Sequence, residues 1–244
     1  MIGADPEYIA IDKTGAHVNI KSFTTKDAEV AWDHEGDVLE VKPRPSKCVF
    51  RLVRRMRKLL LQHEVSKKLI EAGYKFRSGG YFKTRSRSLG LGGHIHLDIP
   101  YSTHTDVQTN ALHNLTYALE KLDILPRQQS YYRHSYANVE SIRMANNADR
   151  LEYRFMCSWL HSPVTAQICL TAAKIMAVRP ELALDHLTIS MPIFQAWFEK
   201  FKEKDVDACR VVEKIFEPKL PLEARLDVDL QESWKSLKSL GGLH

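Results

Sequence analysis

Four short segments place charged or imidazole side chains on alternate residues, with apolar groups between. They are Asp5-Pro6-Glu7-Tyr8, Leu39-Glu40-Val41-Lys42, His94-Ile95-His96-Leu97-Asp98 and Arg150-Leu151-Glu152-Tyr153-Arg154-Phe155. In a strand, successive side chains point to opposite faces. Leu39, Val41, Ile95, Leu97, Leu151, Tyr153 and Phe155 then fall on one side of a sheet, and Asp5, Glu7, Glu40, Lys42, His94, His96, Arg150, Glu152 and Arg154 on the other. The second face carries carboxylates, imidazoles and guanidiniums, the groups that hold divalent metal and polyphosphate. Two carboxylates as close as Asp5 and Glu7 repel unless a cation lies between them.

Those strands need elements to position them. Residues 8–11, 17–20 and 37–41 read as strands, broken at Gly15 and Gly36. Ser46 reads as the N-cap of a helix carrying Val49, Leu52, Val53, Met56, Leu59 and Leu60 as far as Gly73. Its other face, basic from Arg51 through Lys58, reads as solvated surface. Residues 74–84 read as strand around Gly79-Gly80, and 84–93 as a polar loop before the His94 strand. Thr105 opens a helix carrying Leu112, Leu115, Leu119 and Leu122, and an irregular stretch with Arg133 and Arg143 leads to the Arg150 strand. Ser162-Pro163 is an N-cap with proline at the first helical position, opening a helix to about Val178. Beyond it, residues 190–204, 205–216 and 227–240 read as helices without strands. The division expected is a catalytic domain over residues 1–178 with a helical extension, 179–244, packed on it.

The totals bound the class. The chain has 244 residues, 44% hydrophobic and 27% charged, with a net charge of +5, a balance that suits an anionic nucleotide as well as nucleic acid. Cys48, Cys157, Cys169 and Cys209 form no C-x-x-C pair, which argues against a zinc knuckle or a disulfide framework. No long apolar run suggests a membrane span, and Asp5 and Glu7 stand where a secretion signal would need basic and then apolar residues. A cytoplasmic protein is the expectation.

Three stretches together resemble the phage-type COOH–NH2 ligases (amidoligases) of the glutamine synthetase and glutamate–cysteine ligase superfamily. Gly3-Ala4-Asp5-Pro6-Glu7 resembles the narrower family's opening, Gly92-Gly93-His94-Ile95-His96 the glycine-preceded H-x-H strand, and Arg150 to Phe155 the R-x-E-x-R strand. The alanine-bearing helix after Ser162-Pro163, with Ala166, Ala172 and Ala173, continues the likeness, which covers about residues 1–178. The resemblance implies an α+β fold whose curved antiparallel sheet forms a funnel-like active site, backed by helices. It also implies ATP, Mg2+ or Mn2+, and an acyl phosphate attacked by an amine.

By that resemblance Glu7, Glu40, His94 and Glu152 are metal ligands, and Asp5 stands at the superfamily's other strand-one acid. Arg143 and Arg154, with Glu152, serve catalysis, while Lys42, His96, Arg133 and Arg150 contact substrate or nucleotide. The bland alternatives are an exposed acidic strand start, histidines at a sheet edge, a surface salt-bridge ladder around Glu152 and a solvated Lys42. Expected partners are small-molecule or peptide carboxylates and amines. A homo-oligomer is left open, and neither membrane nor nucleic acid is expected. Rival readings are a guanidino-kinase-like phosphotransferase, another metal-dependent enzyme (an H-x-H also opens many zinc hydrolases), and a nucleic-acid-binding protein. The last would use Arg54, Arg55, Arg57, Lys58 and the Arg85-Ser86-Arg87 loop.

Overall fold

The structure, a computed structural model, describes residues 1–84, 88–127, 141–145, 148–202, 204–208 and 222–235. It is a mixed α and β fold built on an antiparallel sheet. The sheet runs β3 (Val30–Asp33), β4 (Val38–Val41), β1 (Ile2–Ile11), β8 (Gly93–Leu97), β10 (Leu151–Tyr153), β9 (Ile142–Met144). Further along β1, β2 (His17–Val18) and β5 (Lys75–Arg77) pair with it. The sheet ends at β3 and β9 and does not close on itself.

Alternation fixes what each face meets. Ala4 and Tyr153 lie opposite Ile95, and Leu151 opposite Leu97; all are buried on one face. Helices α1 (Val49–Gln62), α3 (Asp106–Lys121) and α4 (Pro163–Val178) cover that side. Helix α4 is apolar nearly all round and packs between α1, α3 and β8, where its alanines keep it close to its neighbours. The Ser162 side chain caps it by accepting from the Thr165 amide, with Pro163 at the first position. Thr105 and Gln108 form a capping box at the start of α3. Both helix starts are as the sequence reading expects.

Several expectations need correction. The long helix breaks at His63, whose backbone is extended and whose Nδ1 accepts from the Val65 amide, so a second helix, α2 (Glu64–Glu71), follows. Ser46 does not cap α1: its hydroxyl binds the Cys48 amide, while the Val49 amide is taken by Asp207, 158 residues away. The basic face of α1 is only partly solvated. Arg55 donates to the carbonyls of Arg44 and Pro45, and Arg57 to that of Trp234. The stretch read as polar loop contains strand β7 (Ser88–Gly90), paired with β6 (Tyr81–Lys83). That hairpin lays Leu89, Leu91 and Phe82 on Ile9, Ile11 and Val38, so the face that carries Glu7 and Glu40 is apolar at one end. The strand of residues 30–33 was not foreseen.

Beyond residue 178 come α5 (Met191–Glu199), α6 (Leu222–Leu226) and α7 (Leu230–Lys235). Phe194, Phe198, Leu230 and Trp234 are buried in the same core as the sheet. Among the described residues no helix is long and apolar enough to cross a membrane. Cys48, Cys157 and Cys169 are free thiols.

Candidate active site

Strand register assembles the site. Glu7 on β1 pairs with Glu40 on β4, and Asp5 pairs with His94 on β8. One step along, His96 pairs with Glu152 on β10, which pairs in turn with Arg143 on β9. Residues from five strands thus meet on one face, and Glu7, Glu40, His94 and Glu152 are buried there. A surface salt-bridge ladder or an exposed acidic strand start would leave these groups in water.

His94 lies at the centre. Its Nδ1 is 3.7 Å from both Asp5 Oδ1 and Glu152 Oε1, and its Nε2 is 3.8 Å from Glu7 Oε1. Ligand atoms of Asp5, His94 and Glu152 lie within 4.8 Å of one another, as do those of Glu7, Glu40 and His94. A neutral imidazole has one lone pair and one N–H. A neutral His94 can therefore offer a lone pair from one ring nitrogen only, while the other carries the N–H.

The donor set fits a divalent cation. Among the described residues, none donates a hydrogen bond to the buried oxygens Asp5 Oδ1 and Glu152 Oε1. Ligand atoms about 2.1 Å from one octahedral Mg2+ stand about 3 Å apart side by side or about 4 Å apart when opposite, and the 3.7 Å spacings lie between the two, a small side-chain shift from either. Hard carboxylate oxygens in the majority suit Mg2+ or Mn2+.

Charge compensation is uneven. Glu40 contacts Lys42 Nζ at 3.0 Å, yet burial and the charges of Asp5 and Glu7 push its carboxyl up to about 8. Burial also works against ionisation of Asp5. The approach of His96 and the charges of His96, His94 and Lys42 outweigh it and hold this carboxyl well below the usual range. His96 Nε2 stands 3.0 Å from Asp5 Oδ1; burial opposes the imidazolium, but Asp5 and then Glu152 favour it and raise its affinity for a proton. Glu152 accepts from Arg143 Nε at 2.8 Å and lies 3.4 Å from Arg154 Nε. Arg154 is largely buried, whereas Arg143 is 45% exposed.

The remaining expected residues are more peripheral. Lys42 also donates to the Lys26 carbonyl. Arg150 sits one position before β10, where its charge acts on His96 and Asp98. Arg133 and the Arg85–Arg87 loop lie outside the described residues.

Asp33 and His34 escaped the sequence reading. Their ligand atoms lie within 4.8 Å of each other and of Glu7. Asp33 ends β3, where Ala31 lies opposite Glu40, so Asp33 shares Glu40's face. His34, Glu35 and Gly36 all take left-handed backbone, with φ of 47°, 59° and 91°. Asn19 fastens this turn by donating to the Glu35 carbonyl and to Asp37. At Gly36 a Cβ would fall 2.6 Å from Lys21 Cβ, so glycine alone fits there. The available signal was an acid closing a short apolar run before a glycine turn, and four residues are too few to display alternation.

No curated protein matches the sequence of this chain. The family model described as Phage phiEco32-like COOH.NH2 ligase-type 2 matches residues 2–221, a span that includes every strand carrying the site. The chain belongs to that family of carboxylate–amine ligases.

Proposed function

We propose that this ligase uses ATP to join a carboxylate to an amine through an acyl phosphate. The polar sheet face then serves as the wall of a funnel-like site. The observation that carries the reading is the convergence of Asp5, Glu7, Glu40, His94 and Glu152 on one buried face, with two arginines on Glu152. Family membership supplies the bond being made.

A carboxylate is a poor electrophile, and hydroxide is a poor leaving group. Transfer of the γ-phosphoryl group to a carboxylate oxygen forms an O–P bond and releases ADP. Attack by an amine nitrogen on the acyl carbon then forms the C–N bond, breaks C–O, expels phosphate and releases a proton. Asp5, His94 and Glu152 would hold one divalent ion and Glu7 with Glu40 a second; such ions neutralise phosphate charge and orient it. Arg154 and Arg143 present guanidinium donors to the phosphoryl oxygens in transit, and Glu152 fixes both. Lys42, His96 and Arg150 would contact substrate or nucleotide from this face, and the family resemblance gives Arg133 the same role. Residues 1–178 supply all of these groups, and Phe194, Phe198, Leu230 and Trp234 of the extension brace the helical side. The setting is the cytoplasm, where ATP is at hand.

The test is a trapping reaction. Protein, ATP, Mg2+ and a panel of amino acids, short peptides and other acids are incubated with hydroxylamine. Hydroxamate formed in step with ADP supports the reading. A stable phosphorylated product without hydroxamate would turn it into a phosphotransferase, and salt-sensitive DNA retention without ATP consumption into a nucleic-acid binder.

A further inference from the structure

The segment directly after β10 crosses back over the strands that carry the proposed ligands. Gly93 N donates to the Met156 carbonyl at 3.0 Å, and Gly92 bridges to Cys157. Ser158 Oγ donates to the Glu7 carbonyl at 2.5 Å, and Ser158 N to the Leu91 carbonyl at 3.0 Å. Trp159 Nε1 donates to the Gly93 carbonyl at 3.0 Å. Both side chains are fully buried. The fit admits no side chain at residue 93: a Cβ there would lie 2.4 Å from both the Cys157 carbonyl oxygen and Trp159 Cδ1.

Both side-chain bonds end on the backbone of a proposed ligand or of its neighbour. Ser158 holds the backbone of Glu7, and the Glu7 carboxylate is held in turn by the Gly92 amide. Trp159 holds the carbonyl of the residue before His94. The three strands bearing Glu7, His94 and Glu152 are therefore bolted together by the chain that leaves Glu152.

We infer that Ser158 and Trp159 are positioning residues that set the spacing of Glu7 from His94 and thereby the affinity of the site for divalent cation. This rests on the metal-binding reading above. Groups that orient ligands from behind commonly change metal affinity by about 10- to 100-fold when removed.

The test uses Mn2+ alone, titrated into the full chain by electron paramagnetic resonance, with thermal unfolding of the metal-free protein alongside. Trp159→Phe keeps a ring in the slot and loses the N–H; Ser158→Ala is the gentler variant. Trp197→Phe is the matched control, losing an indole N–H bond to the Leu182 carbonyl far from the site. The expected result is an Mn2+ Kd raised about tenfold in Trp159→Phe and Ser158→Ala. Trp197→Phe should lower Tm with Kd unchanged. If Trp159→Phe and Ser158→Ala lower Tm like the control and leave Kd alone, their role is structural only and the inference is overturned. If the unsubstituted protein binds no Mn2+, the metal reading fails and takes the inference with it.

Discussion

Glu40→Gln separates a ligand from a structural charge. In the metal-free protein, burial and the neighbouring charges of Asp5 and Glu7 hold the Glu40 carboxyl at about 8. At pH 7 such a group is about nine-tenths protonated, and glutamine copies that neutral form in size and shape. The unfolded chain holds Glu40 ionised at pH 7 and must take up a proton to fold, whereas glutamine need not, so the substitution should stabilise the metal-free protein at pH 7, by up to about 3 kcal/mol. The sign with pH follows from proton counting. Folded Glu40 holds a proton that the unfolded chain loses between about 4.5 and 8, so this group's contribution to stability falls as pH rises through that window. The slope is at most about 1.4 kcal/mol per pH unit for one proton, and Glu40→Gln removes it. With a divalent ion the order reverses: the ion expels the proton, and the unsubstituted protein gains about 3 kcal/mol at a hundredfold excess over Kd. That gain corresponds to roughly 6–12 °C in Tm for a chain of this size, and Glu40→Gln should lose most of it. Differential scanning calorimetry from pH 5 to 9, with and without Mn2+, reads both effects. A variant that keeps the full Mn2+ shift, or that is strongly destabilised at pH 7 without metal, would refute the reasoning.

Glu152→Gln should behave oppositely without metal. It removes the buried charge that faces both Arg143 and Arg154 and should destabilise the metal-free protein by about 3 kcal/mol, measured by urea unfolding, as well as abolishing hydroxamate formation. Arg154→Lys keeps the charge but loses the forked donors. Its kcat for ADP release should fall at least about 100-fold while Mn2+ affinity changes far less, and equal losses in both would count against a phosphoryl-stabilising role. Asp207→Ala removes the acceptor of the Val49 amide and a partner of Lys174, so unfolding should show a loss of about 1–2 kcal/mol with Mn2+ Kd unchanged.

How much was legible in the sequence follows from how far each signal reaches. The strands bearing Glu7, Glu40, His94 and Glu152 were visible because alternation is a property of adjacent residues, and one buried face enforces it. The start of α4 was visible because Ser162 and Pro163 act within one turn. The break at His63 was not, because an unbroken apolar spacing runs across it and only the backbone angle reveals the interruption. The apolar lid of Leu89 and Phe82 over Ile9 was hidden for another reason: Ile9 and Ile11 continue the face of Glu7, and nothing nearby in sequence says what covers them.

By itself the sequence determined which side chains share a face and which chemistry that face can do, because both depend on residue type and a period of two. Only the tertiary structure decided their meeting. The register that sets Asp5 beside His94 and His96 beside Glu152 is a choice among pairings that local preference does not distinguish. The same holds for Asp33 reaching Glu7 and for Asp207 capping a helix 158 residues away. These contacts join segments remote in sequence, and their energy exists only once the whole sheet and its helices have packed.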